Sequence, residues 1–138
     1  MSNQTYTDSE IRLPVRPNDF DYAAYLNNAV YVEYLEAGRV EWAALNRINL
    51  YQLGLAPAVV RLEVDYLKGL LRGKDAPEAI VRTTLSELKP VRMIFHQSVG
   101  NQQGEICARA VVHVVMVDLT ANKAVPVRWA LERLHLPD

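Results

Sequence analysis

The sequence has one cysteine, no long apolar run and no excess of charge of one sign. Its 138 residues include only Cys107, so no intramolecular disulfide can form, which is typical of the reducing cytoplasm. The longest apolar run, at 110–117, is interrupted by His113 and falls well short of the roughly 18 residues that suggest a membrane span. The N-terminus is polar and contains no signal-peptide core. We therefore expect a cytoplasmic protein that makes no membrane contact.

The balanced charge and the missing motifs exclude several classes of protein. There are 15 Lys and Arg against 16 Asp and Glu, spread along the chain, which is unlike the basic stripe of a nucleic-acid-binding protein. The three histidines lack metal-ligand spacing. A Gly-x-Ser-x-Gly elbow, a phosphate-binding glycine loop and a dinucleotide fingerprint are all missing from the sequence. We therefore predict no nucleic-acid partner, no metal site and no cofactor.

What the sequence does contain is one long helical pattern among patterns typical of strands. We predict a single domain over residues 1–138, with residues 1–9 loose. Alternating apolar residues at 11–16 predict an edge strand, and Asn27 or Asn28 can cap a helix that runs to about Arg47. Further strands are predicted at 60–66, 78–88, 91–99 and 105–118, followed by a short edge segment at 125–127 and a helix at 129–135. This order is typical of an α+β protein, in which a helix packs on one face of an antiparallel sheet.

The predicted long helix is apolar around most of its circumference. Its apolar residues recur at spacings of three and four, and alanines and valines widen the stripe, which predicts a largely buried helix. Gly38 in its interior costs about 1 kcal/mol relative to alanine, so we expect another segment to approach closely there. Glu36 and Arg39 are spaced i, i+3 and predict a structural ion pair. The strand at 60–66 is predicted to be half buried, with its charged residues facing solvent or an interface.

Two carboxylates, Asp19 and Asp21, precede this helix in a polar loop. One interpretation is that they only complement the positive end of the helix dipole. The other is catalytic. The dipole and the free N–H groups of the first turn would keep a nearby carboxylate ionised, so that it could attack a carbonyl or deprotonate water. Because the same N–H groups could polarise a substrate carbonyl, the junction could supply both parts that acyl transfer requires.

The loop and the helix resemble the signature Asp-x-Asp-x-x-Gly-His-Val-Asn-Asn-x-x-Tyr-x-x-Tyr-x-Glu-x-x-Arg of the 4-hydroxybenzoyl-CoA thioesterase-like hot-dog proteins. The matching residues here are Asp19-Phe20-Asp21, Tyr25-Leu26-Asn27-Asn28-Ala29-Val30-Tyr31, Tyr34, Glu36 and Arg39. The resemblance implies a hot-dog fold, in which an antiparallel five- to six-stranded sheet wraps around a long central helix. It also implies a homodimer joined edge to edge, or a tetramer of such dimers, with active sites at the dimer interface.

The activity that this resemblance implies is hydrolysis of the thioester of an acyl-CoA or an acyl-carrier protein. Asp21 would be the nucleophile or general base. A backbone N–H near the helix start would polarise the thioester carbonyl, and the residues at that place are Tyr25, Leu26, Asn27 and Asn28. Other residues implied to meet the substrate are Tyr22, Ala24, Tyr31 and, at the CoA phosphates, one or more of Lys68, Arg72, Lys89 and Arg92.

The chain departs from the family pattern at the loop. The glycine and the histidine of the signature are Ala24 and Tyr25 here, and a Gly-Arg-Ser-Ser-like turn is replaced by residues 89–92. Plant-type acyl-carrier-protein thioesterases carry Asn and His where this chain has Ala23 and Tyr25, so their full catalytic set is absent. A second hypothesis therefore stays open, a non-catalytic acyl-binding or assembly module on the same fold. A hot-dog dehydratase is disfavoured because no histidine lies near the helix start.

Overall fold

The chain folds as an antiparallel sheet with a long helix packed on one face, which confirms the predicted α+β class. A computed structural model describes residues 5–72 and 78–135. The strands are β1 (Ser9–Pro14), β2 (Leu55–Tyr66), β3 (Glu78–Leu88), β4 (Met93–Gly100), β5 (Ile106–Asp118) and β6 (Lys123–Val125), and the helices are α1 (Asn28–Leu45) and α2 (Val127–Leu134). Short 3-10 turns at Pro17–Asp19 and Leu50–Leu53 were not predicted.

The strands are ordered β1-β3-β4-β5-β2, and β6 pairs with β5 beyond the end of β4. Every pairing is antiparallel. This order leaves β1 and β2 at the two edges of the sheet. Strand β2 begins at Leu55, before the predicted start at residue 60. It can include Pro57 because an edge strand tolerates the missing N–H of a proline.

The start of α1 agrees with the sequence prediction. Asn27 is the N-cap residue, and its Oδ1 accepts a hydrogen bond from the N–H of Ala29 at 2.9 Å. The helix ends at Leu45, where Asn46 donates its side-chain amide to the Trp42 carbonyl at 2.8 Å. This side-chain bond satisfies one of the carbonyls that a helix end leaves without a partner, so α1 stops two residues before the predicted end at Arg47.

The buried face of α1 packs on the sheet where Gly38 allows close contact. Tyr31, Tyr34, Leu35, Gly38 and Trp42 are buried, and the helix contacts β1, β3 and β4. A Cβ atom at Gly38 would lie 2.7 Å from Val81 Cγ1 and 2.8 Å from Thr83 Oγ1. These separations are too short for a side chain, so the predicted close approach at Gly38 is confirmed.

The predicted Glu36–Arg39 ion pair is wrong: no such pair exists in the part of the chain that the structure describes. Arg39 instead donates from Nη1 to Gln97 Oε1 at 3.0 Å. Gln97 in turn donates to the Leu35 carbonyl at 2.9 Å and to Thr83 Oγ1 at 2.8 Å. Arg39 therefore belongs to a polar network between α1 and the sheet.

The opposite face of α1 is exposed, so the prediction of a largely buried helix is wrong for that face. Val32, Val40 and Leu45 are 37%, 65% and 49% exposed. The predicted half-buried strand at 60–66 is also more exposed than expected, since Leu62 and Tyr66 are 38% and 45% exposed. The sheet covers only one side of α1, which leaves the other side of the helix exposed. Because α1 packs mainly on β1, β3 and β4, it covers little of β2.

The N-terminal segment is anchored earlier than predicted. The Tyr6 hydroxyl lies 3.1 Å from His135 Nε2, and the Thr7 N–H donates to Asn46 Oδ1 at 2.7 Å. Ser9 is already the first residue of β1. The prediction that residues 1–9 are loose is therefore wrong for residues 6–9, and residues 1–4 lie outside the described part of the chain. Among the described helices, none has the length and apolar character needed to cross a bilayer.

Candidate active site

The first loop carboxylate, Asp19, is buried and fully engaged. Its side chain accepts hydrogen bonds from the Arg16 N–H, the Arg16 guanidinium and the Tyr34 hydroxyl, each at 2.9 Å. Burial by itself raises the pKa of Asp19, but the hydrogen bonds from Arg16 and Tyr34 outweigh it, so the pKa lies below its usual value. Asp19 is therefore an ionised carboxylate that connects the end of β1 to helix α1.

The second carboxylate, Asp21, is exposed and only half engaged. Its Oδ1 accepts the N–H groups of Ala23 at 2.9 Å and Tyr25 at 3.1 Å. These donors belong to the loop, whereas the sequence had suggested the first turn of the helix. No hydrogen bond from the described residues reaches Oδ2. The loop thus holds one oxygen in place and leaves the other available for chemistry.

The loop that follows Asp21 reverses direction at Ala24, whose φ of 69° lies in the left-handed region. This conformation costs a residue with a Cβ atom about 1–2 kcal/mol and costs glycine almost nothing. The glycine of the family signature thus matches a backbone requirement of the turn. Two hydrogen bonds close it: Asp21 N–H to the Tyr25 carbonyl at 2.8 Å, and Ala24 N–H to the Asp21 carbonyl at 3.0 Å.

This loop is docked on the segment that follows β2. The Leu26 N–H donates to the Leu70 carbonyl at 2.9 Å, and the Arg72 N–H donates to the Ala24 carbonyl at 2.8 Å. The Tyr25 ring lies directly on Gly69, where an added Cβ atom would come within 2.5 Å of Tyr25 Cδ1. Residues 73–77 follow this segment and are outside the described part of the chain. The position of Tyr25 therefore depends on the small size of Gly69.

Of the four backbone N–H groups predicted as oxyanion donors, three are already bonded. Those of Tyr25, Leu26 and Asn27 donate to Asp21 Oδ1, the Leu70 carbonyl and the Asp19 carbonyl. The N–H of Asn28, the first residue of α1, has no acceptor among the described residues. A helix leaves its first N–H groups without internal partners, so the Asn28 N–H is the donor that remains for a ligand.

The tyrosines around this N–H have distinct environments. Tyr31 is only 2% exposed, and its hydroxyl accepts the Leu70 N–H at 3.3 Å. Tyr66, which was not among the predicted site residues, packs edge-on against Tyr31 and donates its hydroxyl to the Asn28 carbonyl at 3.0 Å. Its place at the end of a predicted strand was a signal that could have pointed to it. The Tyr22 side chain is fully exposed.

The predicted basic residues fall into two groups. The Lys68 ammonium group pairs with Glu105. The backbone N–H of Lys68 donates to the Cys107 carbonyl at 3.1 Å, next to the segment that holds the loop. Arg92 Nη1 lies 3.3 Å from Nδ1 of His113 on β5. His113 is six residues along this strand from Cys107, which is a distance of about 20 Å. Within one chain, Lys68 and Arg72 therefore lie near the Asp21 loop, and Arg92 lies far from it.

Other polar clusters of the described residues offer no comparable site. No group of three His, Cys, Asp or Glu side chains there is arranged to hold a metal ion. The outer face of the sheet has a groove of about 470 Å³ lined by charged and polar residues, among them Glu63, Asp65, Arg82 and Arg109. None of its lining residues belongs to the Asp21 loop. The groove is ordinary polar sheet surface, with a cross-strand ion pair between Arg82 and Glu10.

Comparison with known proteins identifies the family. A model of the thioesterase-like superfamily matches residues 15–134. The chain belongs to this superfamily. A solved thioesterase from Thermus thermophilus, complexed with coenzyme A and zinc, is 27% identical to this thioesterase-like chain, with a TM-score of 0.75 and coverage of 91% of this chain and 89% of that one. The hot-dog fold and the class of thioester hydrolases, both implied by the sequence resemblance, are thereby confirmed.

Two relatives by sequence carry related names. A provisionally named esterase of Synechocystis sp. is 27% identical over 118 residues, which cover 83% of this thioesterase-like chain and 69% of that protein. A chloroplastic acyl-acyl carrier protein thioesterase of Arabidopsis thaliana is 34% identical over 91 residues, 64% of this chain. The match spans about half, 47%, of the Arabidopsis protein.

Proposed function

We propose that this thioesterase-like protein hydrolyses the thioester of an acyl-CoA or an acyl-carrier protein, with Asp21 as its catalytic carboxylate. One observation carries the proposal. The loop and helix start hold a carboxylate oxygen, Asp21 Oδ2, and a backbone donor, the Asn28 N–H, and neither has a partner among the described residues. Hydrolysis of a thioester needs a group that activates the nucleophile and a donor that stabilises the oxyanion.

The reaction can follow one of two balanced routes. As a general base, Asp21 takes a proton from water while the water oxygen bonds to the thioester carbon. As a nucleophile, Asp21 attacks that carbon itself, and loss of the thiolate from the adduct leaves an anhydride, which water then hydrolyses. In both routes the negative charge that develops on the carbonyl oxygen is stabilised by the Asn28 N–H. In both routes the C–S bond breaks when this first adduct collapses, and the thiolate leaves and takes up a proton.

The rest of the loop would orient the substrate. Tyr25 is 47% exposed and lies between the catalytic carboxylate and Gly69, so its ring would form one wall of the acyl site. Tyr22 and Ala24 would line the same entrance, and Tyr31 would support it from below. Lys68 and Arg72 lie close enough to this loop to meet the phosphates of CoA. Arg92 would have to reach the site from a second protomer.

We also propose that the protein is a homodimer, alone or paired into a tetramer. The β2 strand runs for 12 residues along an edge of the sheet, and an edge that long favours pairing with another chain. Val59, Val60, Leu62 and Tyr66 on this strand are all more than a third exposed, as is Val40 on α1. Pairing of two β2 strands would cover this apolar surface.

The test of the catalytic proposal replaces Asp21 with asparagine. Asp21→Asn keeps an oxygen that can accept the two loop N–H groups but removes the negative charge. We expect turnover of a panel of short, long and aromatic acyl-CoAs, measured by release of free thiol, to fall about 10²- to 10⁴-fold. Asp8→Asn is the matched control, because Asp8 is exposed and far from the loop in sequence. Wild-type turnover by Asp21→Asn would overturn the mechanism.

A non-catalytic acyl-binding or assembly module is the second candidate. It is favoured by Ala24 and Tyr25, which stand where the family signature has glycine and histidine. The same panel separates the two functions. Binding of an acyl-CoA by the wild-type protein, with no thiol released from any member of the panel, would support the module.

A further inference from the structure

We infer that Tyr66 is a positioning residue that orients the oxyanion donor, because its hydroxyl connects strand β2 to Asn28. The inference rests on the proposed role of the Asn28 N–H in thioester hydrolysis. Tyr66 is not part of the loop or of the helix signature, and it is not argued to touch the substrate. It would act through the backbone of the residue that does.

The contact is specific. The Tyr66 hydroxyl donates to the Asn28 carbonyl at 3.0 Å. The Tyr66 ring is held by Tyr31, with ring centroids 5.3 Å apart and planes at 71°. Tyr31 is buried, and its hydroxyl accepts the Leu70 N–H. Because both the ring and the hydroxyl of Tyr66 have fixed partners, the side chain can hold the first turn of α1 in one orientation.

Three tyrosine hydroxyls near the site each hold a different segment. Tyr34 holds the Asp19 turn, Tyr31 holds the segment after β2, and Tyr66 holds the first residue of α1. Among the described side chains, Tyr66 makes the only hydrogen bond from β2 to α1. The loss of this hydroxyl would therefore remove the hydrogen bond that connects Asn28 to strand β2.

Orientation of Asn28 matters for rate more than for binding. Its N–H must point at the oxygen on which charge develops, and a donor of this kind acts in the transition state rather than in the ground state. A small rotation of the first turn would weaken that interaction and leave the substrate contacts of the loop in place. The expected signature is a lower kcat with an unchanged KM.

The experiment compares Tyr66→Phe and Tyr66→Leu with Tyr51→Phe. Tyr51 is 68% exposed and serves as the matched control for loss of a tyrosine hydroxyl. With the best acyl-CoA of the panel, we expect Tyr66→Phe to lower kcat about five- to tenfold, as loss of one hydrogen bond would, with KM within about twofold. Tyr51→Phe should match the wild type. Light scattering on each variant shows whether the assembly has changed.

A second measurement does not depend on turnover. The amide NMR resonances of Asn28 and Ala29 should shift in Tyr66→Phe, because the lost hydrogen bond ends on the Asn28 carbonyl and both amides adjoin it, while they should be unchanged in Tyr51→Phe. Three results would overturn the inference: wild-type kcat in Tyr66→Phe, a raised KM with unchanged kcat, or an unchanged Asn28 amide resonance.

The outcomes distinguish this inference from the proposed function. If the wild type hydrolyses thioesters, Asp21→Asn is inactive and Tyr66→Phe behaves as the wild type, only the role of Tyr66 is overturned. If the wild type hydrolyses nothing in the panel, the proposed function fails, and the role of Tyr66 fails with it.

Discussion

The Tyr34 hydroxyl donates a hydrogen bond to the buried Asp19 carboxylate, 2.9 Å from Oδ2. Burial and this bond raise the pKa of the Tyr34 phenol above its usual range, while the pKa of Asp19 is lowered. The two carboxylates of the loop therefore lie in different environments. Asp19 is buried and fully bonded, whereas Asp21, two residues later, is exposed and accepts hydrogen bonds from the described residues on Oδ1 alone.

This relationship predicts a pH-dependent loss of stability in Tyr34→Phe. The variant removes one hydrogen bond to a buried, charged acceptor, which costs about 2 kcal/mol of unfolding free energy at pH 7. Because the pKa of Asp19 is lowered by folding, its contribution is fully present above the unfolded value of about 3.9 and is lost as the pH falls through the folded pKa. The difference from the wild type, measured by urea unfolding, should therefore shrink below about pH 4.

The control for this prediction is Tyr51→Phe, which should be within about 0.5 kcal/mol of the wild type at every pH, as surface substitutions usually are. A cost for Tyr34→Phe that is the same at pH 7 and at pH 3 would contradict the assignment of an ionised Asp19.

The contact between Gly69 and Tyr25 predicts a non-additive pair of substitutions. Gly69→Ala would place a Cβ atom 2.5 Å from the Tyr25 ring, so the ring must move, at a cost of about 1–3 kcal/mol. In a Tyr25→Ala background the obstacle is gone, and the same substitution should be nearly neutral. Unfolding free energies of the two single variants and the double variant test this. Additive costs would mean that the alanine at residue 69 acts through its own backbone and not through Tyr25.

The exposed β2 edge predicts an oligomer that a charge can disrupt. Burial of Leu62 in an interface would contribute about 1.5–3 kcal/mol, so Leu62→Lys should weaken association at least about tenfold. The measurement is molar mass by light scattering over a range of concentrations. Leu119→Lys is the matched control, since Leu119 is 58% exposed in the turn after β5. A monomeric wild type, or equal association of both variants, would exclude β2 as the interface.

Local signals in the sequence were sufficient for most of the secondary structure. The cap at Asn27, the alternation of the strands and the spacing of apolar residues in α1 each depend on neighbours in the chain, so they predicted elements and order well. Predictions that depended on distant partners were less successful. Arg39 donates a hydrogen bond to Gln97 of β4 and does not pair with Glu36. Val40 is exposed because the sheet covers only one side of α1.

The sequence by itself determined the α+β order, the family signature and the choice of Asp21 and the 25–28 segment as candidate site residues. Only the tertiary structure decided how these candidates differ. It shows that Asp19 is engaged, that three of the four candidate N–H groups are bonded, and that Tyr66 meets Asn28 from a strand 38 residues away. The physical reason is that hydrogen-bond partners are set by which segments the fold brings together, and a local sequence pattern does not contain that information.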